Sequence, residues 1–396
     1  MKKIITTVGT SLFTNYNDKK NETLNKDIKD ESYSEYSEWE EEIKEIKEKL
    51  LSFAKTDNAC AELTSIMKLK EKYDDIEVYL IATDTIESVL VCEVLEEVLL
   101  DKDIEVKFDD NHIIIGLQVD DYLKFKGGLF HLIQTLYTIS EYYYENIVLN
   151  ITGGYKAIIP YLTIFGQVNN APLYYIFENS DELISIPQAP ININWSLFQK
   201  YKNRIDSLSE IPQIDNWEVY KRENGIEEDF PDIVEFTKID GEQYIALNAI
   251  GEIFYEKFKS YIIIEVLKGA NFSKENVGNR LEIERTIKEL YQRLQEYIQQ
   301  NGISKTDDLI SNIKKLSDQD DLKHGGNLDK DSFIFKSTNI GQIRLVYSPR
   351  LKSGELILKI IFYERGAFNH KTYIDDLKNK MRLLTDMEFI SYPIKK

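Results

Sequence analysis

Two adjacent glycines, Gly153 and Gly154, stand between an apolar run and a helical pattern. The run 147–151 predicts a buried strand, and the spacing that begins near Tyr155 predicts a helix. Paired glycines let a backbone approach a ligand closely, and a helix N-terminus offers unpaired N–H groups to a phosphate. Lys156 would add a positive charge at the same place. The stretch predicts a phosphate-binding turn, although a tight β-to-α turn without a ligand would need the same glycines.

Two further stretches place small or hydroxyl-bearing residues directly after predicted strands. Residues 2–8 predict one strand, and residues 76–82 predict another. In open α/β sheets, ligands bind outside the carboxyl ends of the parallel strands. We therefore expect both stretches to join the glycine turn at one ligand-binding edge. The candidate ligand-binding residues are Gly9, Thr10, Ser11, Thr83, Asp84, Thr85, Gly153, Gly154, Tyr155 and Lys156.

The three stretches occur in the order and with the spacing of a CARF domain. They read VGTSLFTN near residue 10, IATDT at residues 81–85 and NITGGYKA at residues 150–157. Residues 1–185 resemble this family, the Rossmann-like sensors of CRISPR-associated proteins. The resemblance implies a homodimer that binds cyclic oligoadenylate between its subunits. It implies an activator and no cofactor; we expect cyclic tetra-adenylate, although the ring size stays open.

The elements that would position these residues form an α/β pattern. Strand candidates alternate with helical patterns through residues 1–185, which predicts a mostly parallel sheet with helices on both faces. The polar stretch 17–34 predicts a surface loop. The apolar spacing from Trp39 to Phe53 predicts an amphipathic helix with an acidic outer face.

Composition narrows the class of protein. The 396 residues are 42% hydrophobic, which supports two or three domains with cores of their own. No apolar run approaches the ~20 residues that span a bilayer, and the N-terminal stretch reads as a strand rather than a signal peptide. Cys60 and Cys92 are the only cysteines, and four histidines are scattered along the chain, so neither a disulfide framework nor a metal site is predicted. We expect a cytoplasmic protein without a membrane anchor.

The charge of the chain is unevenly distributed. The net charge of −19 argues against non-specific binding of nucleic acid by the whole surface. Residues 331–382 nevertheless contain ten Lys/Arg and five Asp/Glu. A basic segment on an acidic protein is where we expect a contact with RNA.

Residues 186–259 are the least regular part of the sequence. Pro187, Pro190 and Pro212 interrupt them, and the apolar spacing from Leu247 to Phe254 predicts a helix even though Gly251 lies inside it. We expect a connector here, helical or winged-helix-like, between a first domain that ends at residue 185 and a last domain that begins at residue 260.

Residues 260–396 predict a small α+β domain. A β-branched strand at 261–267 is followed by two helical patterns and then by three strand candidates at 332–337, 342–347 and 355–363. This order predicts a small antiparallel sheet with helices against one face.

The stretch GQIRLVYSPRLKSGELILKIIFYERGAFNHKTYIDDLK, residues 341–378, resembles the RelE family of toxin ribonucleases. In that family, an Arg-Leu-Ile/Val-Tyr strand precedes a hydrophobic strand, a short basic loop and a terminal helix with an aromatic residue. The resemblance implies a metal-independent endoribonuclease that cleaves mRNA on the ribosome by attack of the 2′-hydroxyl on the adjacent phosphate. This reaction needs a proton acceptor, cations for the phosphorane and a donor for the 5′-oxygen.

The resemblance assigns catalytic roles to five residues. Arg344 matches the strand arginine that contacts the phosphate, and Arg365 matches the arginine of the transition state. Tyr373 matches the aromatic residue that orients the nucleotide, and Lys336 matches one of two paired lysines, the other of which is missing. His370 lies in the basic loop and could act as acid or base, because imidazole titrates near neutrality. Without a catalytic role, Arg344 would be an exposed strand residue, and Tyr373 would pack the terminal helix.

Three alternatives stay open. Arg365 and His370 have the R-x4-H spacing of HEPN ribonucleases, which often accompany CARF domains but carry this motif on helices of an all-α dimer. The strand-like run before Arg365 favours the RelE assignment. The chain could instead be a ligand-sensing regulator without catalysis whose connector binds DNA, or its CARF site could itself degrade the messenger.

Overall fold

A computed structural model gives two compact units. The first unit contains residues 1–193 and 201–257, and the second contains residues 194–200 and 258–396. The structure describes residues 1–56, 59–117, 122–176, 182–191, 193–208, 210–270, 272–326, 328, 331–337, 343–352, 354–366, 372–384 and 387–396.

A mostly parallel sheet forms the centre of the first unit, as the sequence predicts. Its strands are β1 (Lys2–Thr7), β2 (Ile76–Thr83), β3 (Glu105–Lys107), β4 (Ile113–Ile114), β5 (Ile147–Asn150), β6 (Leu173–Ile176) and β7 (Leu183–Ile186). The strand order is β3-β2-β1-β5-β6-β7, and β4 pairs with the end of β2. Only β7, which the sequence patterns did not indicate, pairs antiparallel within this set.

Helices cover both faces of this sheet because alternate strand residues point to opposite sides. They are α1 (Ser11–Lys20), α2 (Glu40–Ala54), α3 (Ala61–Tyr73), α4 (Ile86–Leu100), α5 (Tyr122–Ser140) and α6 (Ile159–Asn169). Ile4 and Val78 pack with α1 to α4, whereas Ile5 and Leu149 pack with α5 and α6. The predicted arrangement of helices on both faces is confirmed.

Two local predictions near the strand ends were wrong. The polar run that predicted a loop from residue 17 begins as the last turns of α1, whose few apolar residues, Leu12, Phe13 and Tyr16, are all buried. The helix after the glycine pair begins at Ile159 and not near Tyr155, since a 3-10 turn over Lys156–Ile158 intervenes. Pro160 explains the later start, because proline fits the first turn of a helix but not its interior.

The described residues of the irregular segment before residue 260 form three helices and a hairpin. These are α7 (Trp195–Leu208), α8 (Trp217–Glu223), β8 (Val234–Ile239), β9 (Glu242–Leu247) and α9 (Ala249–Lys259). Gly251 lies inside α9, where an added Cβ would come 2.3 Å from the Ile233 carbonyl oxygen. The glycine therefore permits a close approach of helix and chain, and the predicted helix forms despite it.

The second unit contains a five-stranded, mainly antiparallel sheet. Its strands are β10 (Tyr261–Leu267), β11 (Phe333–Lys336), β12 (Ile343–Lys352), β13 (Glu355–Arg365) and β14 (Phe389–Lys395), in the order β11-β12-β13-β10-β14. Only the β10–β13 pair is parallel. The helices are α10 (Val277–Gln300), α11 (Thr306–Lys315) and α12 (Tyr373–Leu383).

The prediction that helices lie against one face of this sheet was wrong. α10 and α11 pack on the face that carries Phe335 and Leu345, but α12 packs through Leu377 and Met381 on the opposite face. Residues such as Val346 supply that second apolar surface. The two-sided cover follows from strands that are apolar at consecutive positions rather than at alternate ones.

Candidate functional site

A cleft of about 770 Å³ lies at the carboxyl edge of the parallel strands in the first unit. Six of the ten predicted ligand-binding residues line it, and they come from all three sequence motifs: Gly9, Thr10, Thr83, Thr85, Gly154 and Tyr155. The strand register explains the convergence, because β1 pairs in parallel with β2 on one side and with β5 on the other. The sequence motifs therefore meet as predicted.

Glu62 of α3 occupies the turn between β1 and α1. Its side chain is fully buried. Oε1 accepts a hydrogen bond from the Gly9 backbone N–H at 3.0 Å, and Oε2 accepts one from the Ser11 hydroxyl. Gly9 N–H and the Ser11 hydroxyl are thus bonded within the protein, and an anionic ligand could use them only by displacing a carboxylate.

Contacts within the chain explain why glycine stands at positions 9, 153 and 154. A Cβ on Gly9 would come 2.9 Å from the Gly154 nitrogen, and one on Gly153 would come 2.1 Å from Oε1 of Glu62. Gly154 also has a φ of +91°, which other residues rarely adopt. The glycines let the two turns and the carboxylate pack together, so they are required whether or not a ligand binds.

The residues of the IATDT motif have two different roles: two of them line the cleft, and one holds a neighbouring segment of the chain. The hydroxyls of Thr83 and Thr85 lie 3.3 Å apart in the cleft, and Thr85 caps α4 by accepting from the Ser88 N–H. Asp84 instead accepts from the Gly116 N–H at 2.9 Å. Asp84 therefore holds the chain after β4 and is not among the residues that line the cleft.

Lys156 is exposed in the 3-10 turn after Tyr155 and is not among the lining residues either. The positive charge in the lining is Lys29, from a segment that the sequence analysis treated only as a surface loop. Within a run of charged residues, the sequence gives no local signal that one lysine lines a ligand-binding cleft. Lys29 reaches the cleft as part of residues 23–30, of which Thr23, Asn25 and Asp30 also line it.

A buried carboxyl, Glu87, forms part of the same wall. It accepts a hydrogen bond from the Asn25 side chain, and the Asp30 N–H approaches its other oxygen at 3.5 Å. Burial raises the pKa of Glu87 above the ordinary carboxyl value, and these hydrogen bonds offset part of the rise. An ionised Glu87 would oppose an anionic ligand in the cleft.

In the second unit, Lys336 and Arg344 stand directly opposite each other on β11 and β12. Alternation along the strands puts both on the face that α12 covers. Arg344 is only 3% exposed and donates to the Ile343 carbonyl oxygen at 3.1 Å. It is therefore buried, contrary to the alternative in which it was an exposed strand residue without a function.

Tyr373, the first residue of α12, completes this cluster. Burial raises the pKa of Tyr373, and the adjacent Arg344 guanidinium offsets part of the rise. The imidazole of His324 stacks on the Tyr373 ring, with centroids 6.4 Å apart and planes at 19°. Sequence reasoning missed His324; its only local signal is the pair of glycines that follows it.

Arg365 lies on the other face of the same sheet. Its guanidinium donates to Glu282 at 2.6 Å and also to Asn279, both on α10. The structure therefore brings Lys336, Arg344 and Tyr373 together but leaves Arg365 apart from them. His370 lies outside the described residues.

The HEPN alternative needs Arg365 on a helix. Arg365 ends strand β13 within a five-stranded sheet, so this requirement is not met and the alternative was wrong. Among the described residues, no group of three His, Cys, Asp or Glu side chains is arranged to hold a metal ion. Across the same residues, none of the helices is both long enough and apolar enough to cross a membrane.

Comparison with protein families gives one match. Residues 57–189 match the model of a family described as CRISPR-associated protein (Cas_APE2256). The matched residues cover about a third of the chain, from the segment before α3 to just after β7, and so include Glu62, the IATDT motif and the glycine turn. The match supports the prediction of a CRISPR-associated protein with a role in CRISPR defence.

Proposed function

We propose that this protein is an endoribonuclease of CRISPR defence, activated by cyclic oligoadenylate, which cleaves ribosome-bound mRNA in the cytoplasm and acts as a homodimer. The observation that carries the sensing half is the convergence of three sequence motifs on one cleft. The family match over residues 57–189 supports the CRISPR context.

Several groups that line the cleft can contact a cyclic oligoadenylate, although Asp18, Asp30 and Glu87 also line it. The hydroxyls of Thr10, Thr83 and Thr85 can donate to phosphate oxygens, and the ring of Tyr155 offers a face on which an adenine can stack. Lys29 adds a positive charge. In a homodimer, the second copy would present the same groups again, which matches a ligand whose phosphates repeat around a ring.

Binding is tested by titration calorimetry with cyclic tetra-adenylate. Lys29 and Lys26 are both exposed on one segment, but of the two only Lys29 lines the cleft. We expect Lys29→Ala to weaken binding about tenfold, or ~1.4 kcal/mol, and Lys26→Ala to bind like the wild type. Equal losses in both variants would indicate attraction by general charge, and a wild type that does not bind would remove the sensing half of the proposal.

The nuclease half is supported by the cluster on the α12 side of the second unit. Lys336 and Arg344 supply two positive charges at neighbouring positions, as a phosphorane requires, and Tyr373 lies beside Arg344. Arg344 is too buried in this state to contact RNA. The messenger must therefore favour a second state in which the guanidinium is accessible, and it can do so only by binding that state more tightly.

The activity is tested by adding the full chain to translating ribosomes with and without cyclic tetra-adenylate, and mapping cuts in the mRNA by primer extension. We expect cuts that depend on both the messenger and the ribosome. Cleavage of naked RNA without the messenger would overturn the mechanism. In the same reactions, a linear product of the messenger would show that the cleft degrades its ligand.

A further inference from the structure

We infer that His324 is the general base of the proposed ribonuclease reaction. The inference rests on the proposed function and adds the proton acceptor that the Lys336, Arg344 and Tyr373 cluster lacks. His324 lies between α11 and β11, a part of the chain to which the sequence resemblance assigned no role.

Backbone hydrogen bonds hold His324 in place. Its own N–H donates to the Ile334 carbonyl oxygen of β11 at 2.9 Å, and the Gly325 N–H donates to the Asp318 carbonyl oxygen at 2.8 Å. The Tyr347 hydroxyl of β12 donates to the Leu322 carbonyl oxygen at 2.7 Å. The segment is thus tied to the two strands that carry Lys336 and Arg344.

Two glycines follow His324, and the first of them lies against α12. Gly325 and Gly326 have φ values of +81° and +97°, which other residues rarely adopt. A Cβ on Gly325 would come 2.3 Å from Cδ1 of Ile374, in the first turn of α12. The positive φ and the close contact both favour glycine at position 325, and beside it the imidazole of His324 stacks on the ring of Tyr373.

Of the side chains in this cluster, the imidazole of His324 is the one suited to accept a proton near neutral pH. Guanidinium and ammonium groups are in general poor proton acceptors near neutral pH, and burial raises the pKa of Tyr373. An imidazole titrates in the required range. Two ion pairs also lie in this region, Glu364 with Lys380 and Asp318 with Lys323 at 3.1 Å.

The proposed step forms one bond to phosphorus and breaks another. The imidazole of His324 takes the proton of the 2′-hydroxyl, and the 2′-oxygen forms a bond to phosphorus as the bond from phosphorus to the 5′-oxygen breaks. The 5′-oxygen takes a proton from water. The products are a 2′,3′-cyclic phosphate and a 5′-hydroxyl, while Lys336 and Arg344 stabilise the charge on the phosphorane.

The test compares His324→Gln with His131→Gln in the ribosome assay with messenger. His131 lies in α5 of the first unit and serves as the matched control. We expect His324→Gln to slow cleavage by at least about 100-fold, as the loss of general base catalysis does, and His131→Gln to cleave like the wild type. Far-UV circular dichroism and thermal unfolding confirm that each variant is folded.

The pH dependence supplies a readout that does not require a variant. The wild-type rate should rise between about pH 5.5 and pH 8 as the imidazole loses its proton, and the rise should be absent from any residual activity of His324→Gln. An active wild type with a flat profile, or with a His324→Gln variant of equal rate, would overturn the inference and leave the proposed function standing. A wild type that does not cleave would overturn both.

Discussion

The Glu62 carboxylate and the Gly9 backbone nitrogen lie 3.0 Å apart, with the carboxylate fully buried at the start of α1. The same carboxylate covers Gly153, so one side chain from α3 joins the turn after β1 to the turn after β5. A carboxylate at a helix N-terminus is favoured by the unpaired N–H groups and the helix dipole. Glu62 therefore stabilises the edge at which the ligand is proposed to bind.

Replacing Glu62 tests this role. We expect Glu62→Ala to lower the free energy of unfolding by about 2 kcal/mol, because it removes hydrogen bonds to a charged group and leaves the Gly9 N–H without its acceptor. Urea unfolding monitored by circular dichroism measures the change. Glu71→Ala, an exposed position on the same helix, should change the stability by less than about 0.5 kcal/mol. Equal stabilities of the two variants would show that Glu62 does not hold the turns together.

Gly153 gives a second test of the same packing. A Cβ at this position would overlap Glu62, so Gly153→Ala should destabilise the protein by about 1–3 kcal/mol, the usual cost of overpacking. Gly127 in α5 has nothing within 4 Å of an added Cβ. Gly127→Ala should instead stabilise by about 0.5–1 kcal/mol, because alanine favours a helix. The midpoint of thermal unfolding measures both, and a tolerated Gly153→Ala would contradict the observed contact.

Glu87 predicts a pH dependence of stability. Its pKa is raised in the folded state by burial, so its favourable contribution is fully present below the unfolded carboxyl pKa and is lost as the pH rises through the folded value. Glu87→Gln, which stays neutral, should therefore be more stable than the wild type at pH 7 and lose this advantage near pH 4. Melting temperatures at both pH values measure the difference.

An exposed carboxyl on α2 provides the control for Glu87. Glu48 carries no comparable burial, so Glu48→Gln should shift the melting temperature little at either pH. A Glu87→Gln variant whose advantage is the same at pH 4 and pH 7 would show that ionisation of this buried carboxyl does not govern the effect.

The features of the fold that follow from local patterns were predictable. Strands that alternate with helices indicate a parallel sheet, and residues directly after such strands must share its carboxyl edge, so the meeting of Thr10, Thr83 and Gly154 at one cleft could be predicted. β14 was not predicted, since Pro393 interrupts its pattern. It forms nonetheless because β14 is the last strand of its sheet, where one side needs no partner.

The rest of the candidate site depends on contacts between distant parts of the chain. Glu62 is one of many acidic residues on predicted helices, and its partner Gly9 lies 53 positions away. His324 becomes significant only when α12 places Tyr373 against it. Arg365 shows the reverse case: the sequence resemblance gave both Arg365 and Arg344 catalytic roles, but β12 and β13 present the two side chains on opposite faces of the sheet. The face on which a strand residue lies is hard to predict where the pairing of two strands is irregular. The register between β12 and β13 shifts after Val346, which moves Arg365 to the other face.

Lys336 and Arg365 lie on opposite faces of the sheet, so replacing each of them tests which face carries out the proposed catalysis. We expect Lys336→Ala to reduce messenger-dependent cleavage by about 100-fold, because a cation that stabilises the transition state is lost. We expect Arg365→Ala to retain most of the activity and to reduce stability by about 1 kcal/mol or less, because its partly exposed ion pair with Glu282 ties β13 to α10. Cleavage rates and melting temperatures of both variants, with Lys352→Ala at the exposed end of β12 as the control, measure these effects. If Arg365→Ala proved as inactive as Lys336→Ala while remaining folded, the reacting phosphate would have to be reached from the α10 face, and the cluster around Tyr373 would lose its catalytic role.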